Sequence, residues 1–156
     1  MSKYLIIFLI FTFSLFGGFY VDLFIFNKEI IFNSIIGFLG VSVAIYTLLL
    51  SPLSNIYNNS NNKEELSHII NKYLNELSSN IKFLFISLLI IIIINMVYLV
   101  DIPYVKNNFK FVLLTFNKQY ICNVLTLSFF LLSMYAFWDI MISSFTICNK
   151  SIKNNF

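Results

Sequence analysis

The chain has 156 residues, 59% of them hydrophobic, 19% aromatic and only 11% charged, with a net charge of +3 and a mean hydropathy of +0.85. Soluble domains are about a quarter charged, so this composition excludes a water-soluble globular domain and indicates a polytopic membrane protein made of spans and short connections. The basic residues are all Lys and lie scattered along the chain, which excludes a nucleic-acid interface built on clustered positive charge.

The N-terminal run predicts a first span over Tyr4–Phe26. It passes well beyond the apolar region of a cleavable signal peptide and shows no A-x-A-like site, so it reads as a retained helix. Ser14 and Gly18 lie four apart and offer a small face for close helix contact, which Asp22 continues one turn on. After the short connection Asn27-Lys28-Glu29, a second, antiparallel span is expected over Ile30–Leu50. Its residues Asn33, Gly37, Gly40 and Ala44 share one face. That face reads as a packing surface, or else as a pore-lining or hinge face. Pro52 is expected to end the helix, because proline lacks the N–H that continues it. The sequence SNIYNNSNN that follows reads as a loop.

Asn61 and Glu64 resemble a capping box and open an amphipathic helix over 61–82. Leu66, Ile69, Ile70, Tyr73, Leu74, Leu77 and Ile81 fall on one side of it, and Glu64, His68, Lys72 and Glu76 on the other. The apolar side is expected to lie on the membrane surface or to pack against other copies of the chain. Ser78-Ser79-Asn80 is the expected kink before the third span, Phe83–Val100, which has no charge between Lys82 and Asp101. As a helix that span is roughly 27 Å long, close to the thickness of a bilayer's hydrocarbon core. Residues 104–120 read as an interfacial segment with snorkelling Lys106, Lys110 and Lys118, and the fourth span is expected over Ile121–Ile147. The fold class is thus all-α: a single membrane domain over 1–156 with four spans and one cytosolic amphipathic helix. The lysine distribution over the short loops favours both termini in the cytoplasm, and the setting reads as a bacterial inner membrane.

Polar residues inside spans carry the functional signal, since a charge at the bilayer centre costs about 3 kcal/mol on insertion scales. Ser128, Tyr135, Asp139, Ser143 and Thr146 form a polar stripe on the fourth span, with Asp139 read either as the centre of a pore or ion-pathway face or as an acid near the cytoplasmic interface. Ser87 and Thr47 are the expected partners of Asp139. Asp22, Asn33 and Asn95 are expected to form an interhelical polar cluster. His68 is the only histidine, and zinc needs three or four ligands, so no metal site is expected. Cys122 and Cys148 sit at opposite ends of the last span, too far apart on one helix to pair. Neither a Gly-rich phosphate loop nor an H-E-x-x-H or G-x-S-x-G motif occurs. The expectation is therefore a protein without catalytic activity or cofactor.

The second span and its exit, IIGFLGVSVAIYTLLLSPLSN from Ile35 to Asn55, resemble a pattern in small four-span bacterial membrane proteins of anti-phage defence and abortive-infection loci. The order of two spans, a cytosolic helix and two more spans is similar as well. The resemblance implies a protein that permeabilises the host membrane when triggered, and it carries over no catalytic residue. The reading is then an oligomeric pore or permeabilising effector, embedded in the lipid bilayer as a homo-oligomer. A sensor or regulatory protein would engage it through the 52–82 segment. The alternative is a non-conducting accessory or scaffold subunit of a membrane complex.

Overall fold

A computed structural model of the chain describes residues 3–20, 28–59, 63–99, 108–111 and 114–153. Its elements in order are α1 (Lys3–Tyr20), α2 (Lys28–Asn59), α3 (Lys63–Leu99), β1 (Asn108–Phe111), β2 (Leu114–Asn117) and α4 (Lys118–Lys153). Helices α2, α3 and α4 each contain a stretch long and apolar enough to cross a membrane: Glu29–Ser54, Leu66–Leu99 and Lys118–Asn149. The apolar part of α1, Tyr4–Gly18, is shorter than the roughly 20 residues a span requires. The remainder of the first expected span, with Asp22, falls on residues 21–27, outside the described residues.

One local expectation is corrected, and two other stretches gain detail. Pro52 does not end α2, which continues through it to Asn59, so residues 54–59 of the expected loop are helical. A proline costs the helix the bond from its own nitrogen to the carbonyl four residues back, here that of Leu48, and membrane helices tolerate this where neighbours resatisfy the backbone. The helix α3 is continuous across Ser78-Ser79-Asn80, so amphipathic segment and third span form one helix of 37 residues. Within 104–120 the backbone forms an antiparallel hairpin, with Asn108 opposite Asn117 and Phe111 opposite Leu114, and it runs directly into α4.

The chain divides into two compact units. The first comprises Met1–Ile35 and Ile86–Ser133. Its core is Ile31, Ile35 and Ile91, with Leu88, Leu127, Phe129 and Phe130 packed around them. Along its α1–α4 contact Ser14 is fully buried, and the Tyr120 hydroxyl donates a 2.8 Å hydrogen bond to the Leu15 carbonyl. Gly18 is essential to this approach: a Cβ there would stand 2.4 Å from Val124 Cγ2 and 3.2 Å from Tyr120 Cε2. The expected small face of Ser14 and Gly18 is therefore in use.

The second unit comprises Ile36–Phe85 and Met134–Phe156. Here Leu49 and Leu53 of α2, Leu77 and Leu84 of α3, and Ala136, Ile140 and Ile147 of α4 form one core. Phe38 stacks on Phe137, with ring centroids 4.6 Å apart and planes at 17°. Ile70, Tyr73, Leu74 and Ile81 also pack against this core. Of the apolar side of the amphipathic segment, Ile70, Tyr73, Leu74, Leu77 and Ile81 thus meet the chain's own α2 and α4, while Ile69 is 41% exposed. The physical reason is length. α2 and α4 extend well beyond a bilayer's thickness, and their projecting turns supply the apolar partners.

The distribution of side chains is inverted relative to a soluble protein. Ser14, Ser42, Ser87 and Ser133 are fully buried, whereas Phe8, Phe16, Leu48 and Leu99 are at least two-thirds exposed. Small residues inside let membrane helices approach closely, and lipid solvates the large apolar ones outside.

Candidate functional site

Two features stand out on this scaffold: a carboxylate held between α3 and α4, and an uncovered small-residue face on α2. Asp139 lies in the second unit on α4 and is half-buried. Its Oδ2 accepts a 2.8 Å hydrogen bond from Nδ2 of Asn80 on α3. The amide replaces part of the hydration a carboxylate loses on entering an apolar bundle. The expected partners are otherwise disposed. The Thr47 hydroxyl donates to the Ala44 carbonyl of its own helix at 2.9 Å, and the Ser87 hydroxyl is buried with no hydrogen-bond partner.

Sequence reasoning missed Asn80 because it was read as part of a kink. The signal was available in the spacing. Leu77, Leu84 and Ile91 recur every seven residues and are all buried, and Asn80 and Ser87 follow Leu77 and Leu84 by three. That is the spacing of a helix seam, and it places both polar residues on the packed side of α3.

The stripe of Ser128, Tyr135, Asp139, Ser143 and Thr146 falls on both units. Ser128 belongs to the first unit, is buried, and donates to the Val124 carbonyl at 2.8 Å. Tyr135, Asp139, Ser143 and Thr146 belong to the second unit and are half-buried. The Thr146 hydroxyl donates to the Ile142 carbonyl at 2.9 Å. Of the expected cluster of Asp22, Asn33 and Asn95, Asp22 lies outside the described residues, Asn33 is exposed and Asn95 is half-buried.

On α2 the residues Asn33, Gly37, Gly40 and Ala44 are all exposed. A Cβ added at Gly37 or Gly40 would meet nothing within 4 Å, in contrast to Gly18. Thr47 and Ser51, also exposed, extend the same row at intervals of three and four. Among the described residues no part of the chain packs closely on this face.

No known protein family, curated protein or solved structure matches the chain. The functional reading therefore rests on residues and geometry. Among the described residues no three His, Cys, Asp or Glu side chains gather where a metal ion could bind. His68 is exposed on α3. Cys122 is half-buried and Cys148 exposed, and neither forms a disulfide.

The Asn80–Asp139 contact makes a direct prediction. Asn80→Leu leaves a half-buried carboxylate without its donor and is expected to destabilise the second unit by about 1–3 kcal/mol. Asp139→Asn can still accept through its carbonyl oxygen and should cost less than about 1 kcal/mol by the same reasoning. Unfolding midpoints in detergent micelles measure both, and an Asn80→Leu protein as stable as the parent would show that the bond carries no stability.

Proposed function

We propose that the protein is an oligomeric membrane pore or membrane-permeabilising effector, in a bacterial inner membrane with both termini cytoplasmic and α1 completing a four-span bundle. Its action needs no catalysis. The observation that supports this reading is the open face of α2. In a bilayer, a row of Asn33, Gly37, Gly40, Ala44, Thr47 and Ser51 leaves polar groups towards lipid and forgoes the close packing that small residues permit. Copies meeting through α2 remove both costs, and the side chains brought towards their common axis are the small and polar ones. The resemblance of Ile35–Asn55 to anti-phage defence proteins lies on this same helix and suggests a triggered role in host defence. The exposed polar side of α3, with Glu64, His68 and Lys72, is the surface that the 52–82 segment offers to a sensor or regulatory partner.

Expression of the wild-type chain is expected to collapse membrane potential, read with a potential-sensitive dye at matched protein levels. Gly40→Leu adds bulk where no described residue lies within 4 Å of an added Cβ, so it should leave the unfolding midpoint unchanged and abolish both the leak and the oligomer. Asp139→Asn is expected to weaken the leak while insertion persists, because carboxylates along a hydrated path favour cations. A leak of equal size from Gly40→Leu would remove α2 from the assembly. No leak from the triggered wild type would overturn the pore and leave the non-conducting scaffold subunit.

A further inference from the structure

We propose that the groove between the start of α2 and the end of α3 holds a phospholipid with an amine headgroup, phosphatidylethanolamine. The groove belongs to the first unit and is lined by Glu29, Phe32, Ile92, Asn95, Met96 and Leu99, enclosing about 280 Å³. That lies at the lower edge of ligand-sized cavities, which run from about 300 to 1,000 Å³, and suits one section of a lipid better than a bulky solute. Four of the six lining residues are apolar, and Met96 and Leu99 are 61% and 77% exposed. The two polar members are the exposed Glu29 carboxylate, in the first turn of α2, and the half-buried Asn95 amide. Among the described residues neither has a hydrogen-bond or ion-pair partner.

An apolar trough with a carboxylate and an amide that no described residue engages has the pattern of a site for an amphiphile whose head carries an ammonium group. The acyl chain lies along Phe32, Ile92 and Met96, the ammonium group meets the Glu29 carboxylate, and Asn95 donates to an ester or phosphate oxygen. The position agrees with this chemistry, because Leu99 is the last residue of α3 and the groove opens where the apolar run stops. An anionic head such as that of phosphatidylglycerol places like charge against Glu29. An ion pair this exposed supports a preference of about threefold. The inference rests on the bilayer setting and is independent of the pore.

The test uses the full chain in phosphatidylcholine vesicles, with Trp138→Phe to remove the native tryptophan and Phe32→Trp as a reporter in the groove wall. Lipid with brominated acyl chains quenches the reporter on contact. Brominated phosphatidylethanolamine should quench about threefold more effectively than brominated phosphatidylglycerol, and Glu29→Gln should bring the two to parity. Equal quenching before that substitution, stronger quenching by phosphatidylglycerol, or a preference that survives Glu29→Gln would each overturn the proposal. Native mass spectrometry of the chain with Phe32 and Trp138 intact gives a second reading. Phosphatidylethanolamine retained by the parent should fall about threefold in Glu29→Gln, and equal retention by both would overturn the site even if the reporter variant failed to insert.

Discussion

Ile70→Pro is expected to destabilise the chain by more than about 3 kcal/mol, the usual penalty of a proline in a helix interior. The residue lies seven positions after the start of α3, within one continuous helix. Proline removes its N–H and drives the ring against the carbonyl of Leu66. The packing loss adds to this, since Ile70 sits against the core of Leu49, Leu53, Leu77 and Ile140, and a disturbed turn pulls Tyr73 and Leu74 out of register with the same core. Ile69, beside it and 41% exposed, supplies the control: Ile69→Ala should cost less than about 1 kcal/mol, because little of that side chain leaves contact with protein. Denaturation with increasing detergent strength compares the two. An Ile70→Pro protein as stable as Ile69→Ala would mean that this half of α3 does not pack on α2 and α4. The effect is expected in the isolated chain, since Ile70, Tyr73 and Leu74 pack on the chain's own core.

Gly18→Val is expected to cost about 3 kcal/mol, the upper end for an overpacked contact. A Cβ there would stand 2.4 Å from Val124 Cγ2, and the branched side chain adds two methyl groups in the same space. α1 must shift away, and the bond from the Tyr120 hydroxyl to the Leu15 carbonyl is strained or lost with it. Val124→Ala opens room at the point of collision, so Gly18→Ala combined with Val124→Ala should recover much of the stability that Gly18→Ala loses alone. Full additivity of the two changes would show that Gly18 and Val124 do not meet. Gly40→Val should be neutral for the fold, which separates a glycine required by packing inside the chain from one that is not.

Much of this architecture was legible from the sequence, and the places where it was not share a cause. Charge-free runs such as Phe83–Val100 announce helices suited to a membrane because nothing else hides so many apolar side chains. Ser14 and Gly18 announce close contact because only small residues permit it. Local rules failed where tertiary packing overrode them. Pro52 reads as a terminator, yet the turns beyond it carry Leu53, buried against the core, and that burial favours continuing the helix. Leu66 to Ile81 reads as a side looking for a membrane or a partner because a sequence does not show that α2 and α4 are long enough to meet it. Asn80 was hidden by its neighbours Ser78 and Ser79, which suggest a break, while its spacing from Leu77 and Leu84 assigns it to the seam. The spacing does not say which helix Asn80 faces, and its pairing with Asp139 across 59 positions was not legible.

The buried hydroxyls bear on how such a chain is made. Ser14 donates to the Ile10 carbonyl at 2.8 Å, Ser42 to Phe38 at 2.6 Å, Ser133 to Phe129 at 2.7 Å and Ser144 to Ile140 at 2.6 Å, each within its own helix. These donors are satisfied as soon as the helix has formed, before any neighbour arrives. Hydroxyls of this kind therefore leave no polar hydrogen waiting when a helix emerging from the ribosome partitions into lipid. The Asn80 amide on α3 and the Tyr120 hydroxyl on α4 differ, because each donates to another helix, and these are the groups for which arrival of a companion matters during biogenesis.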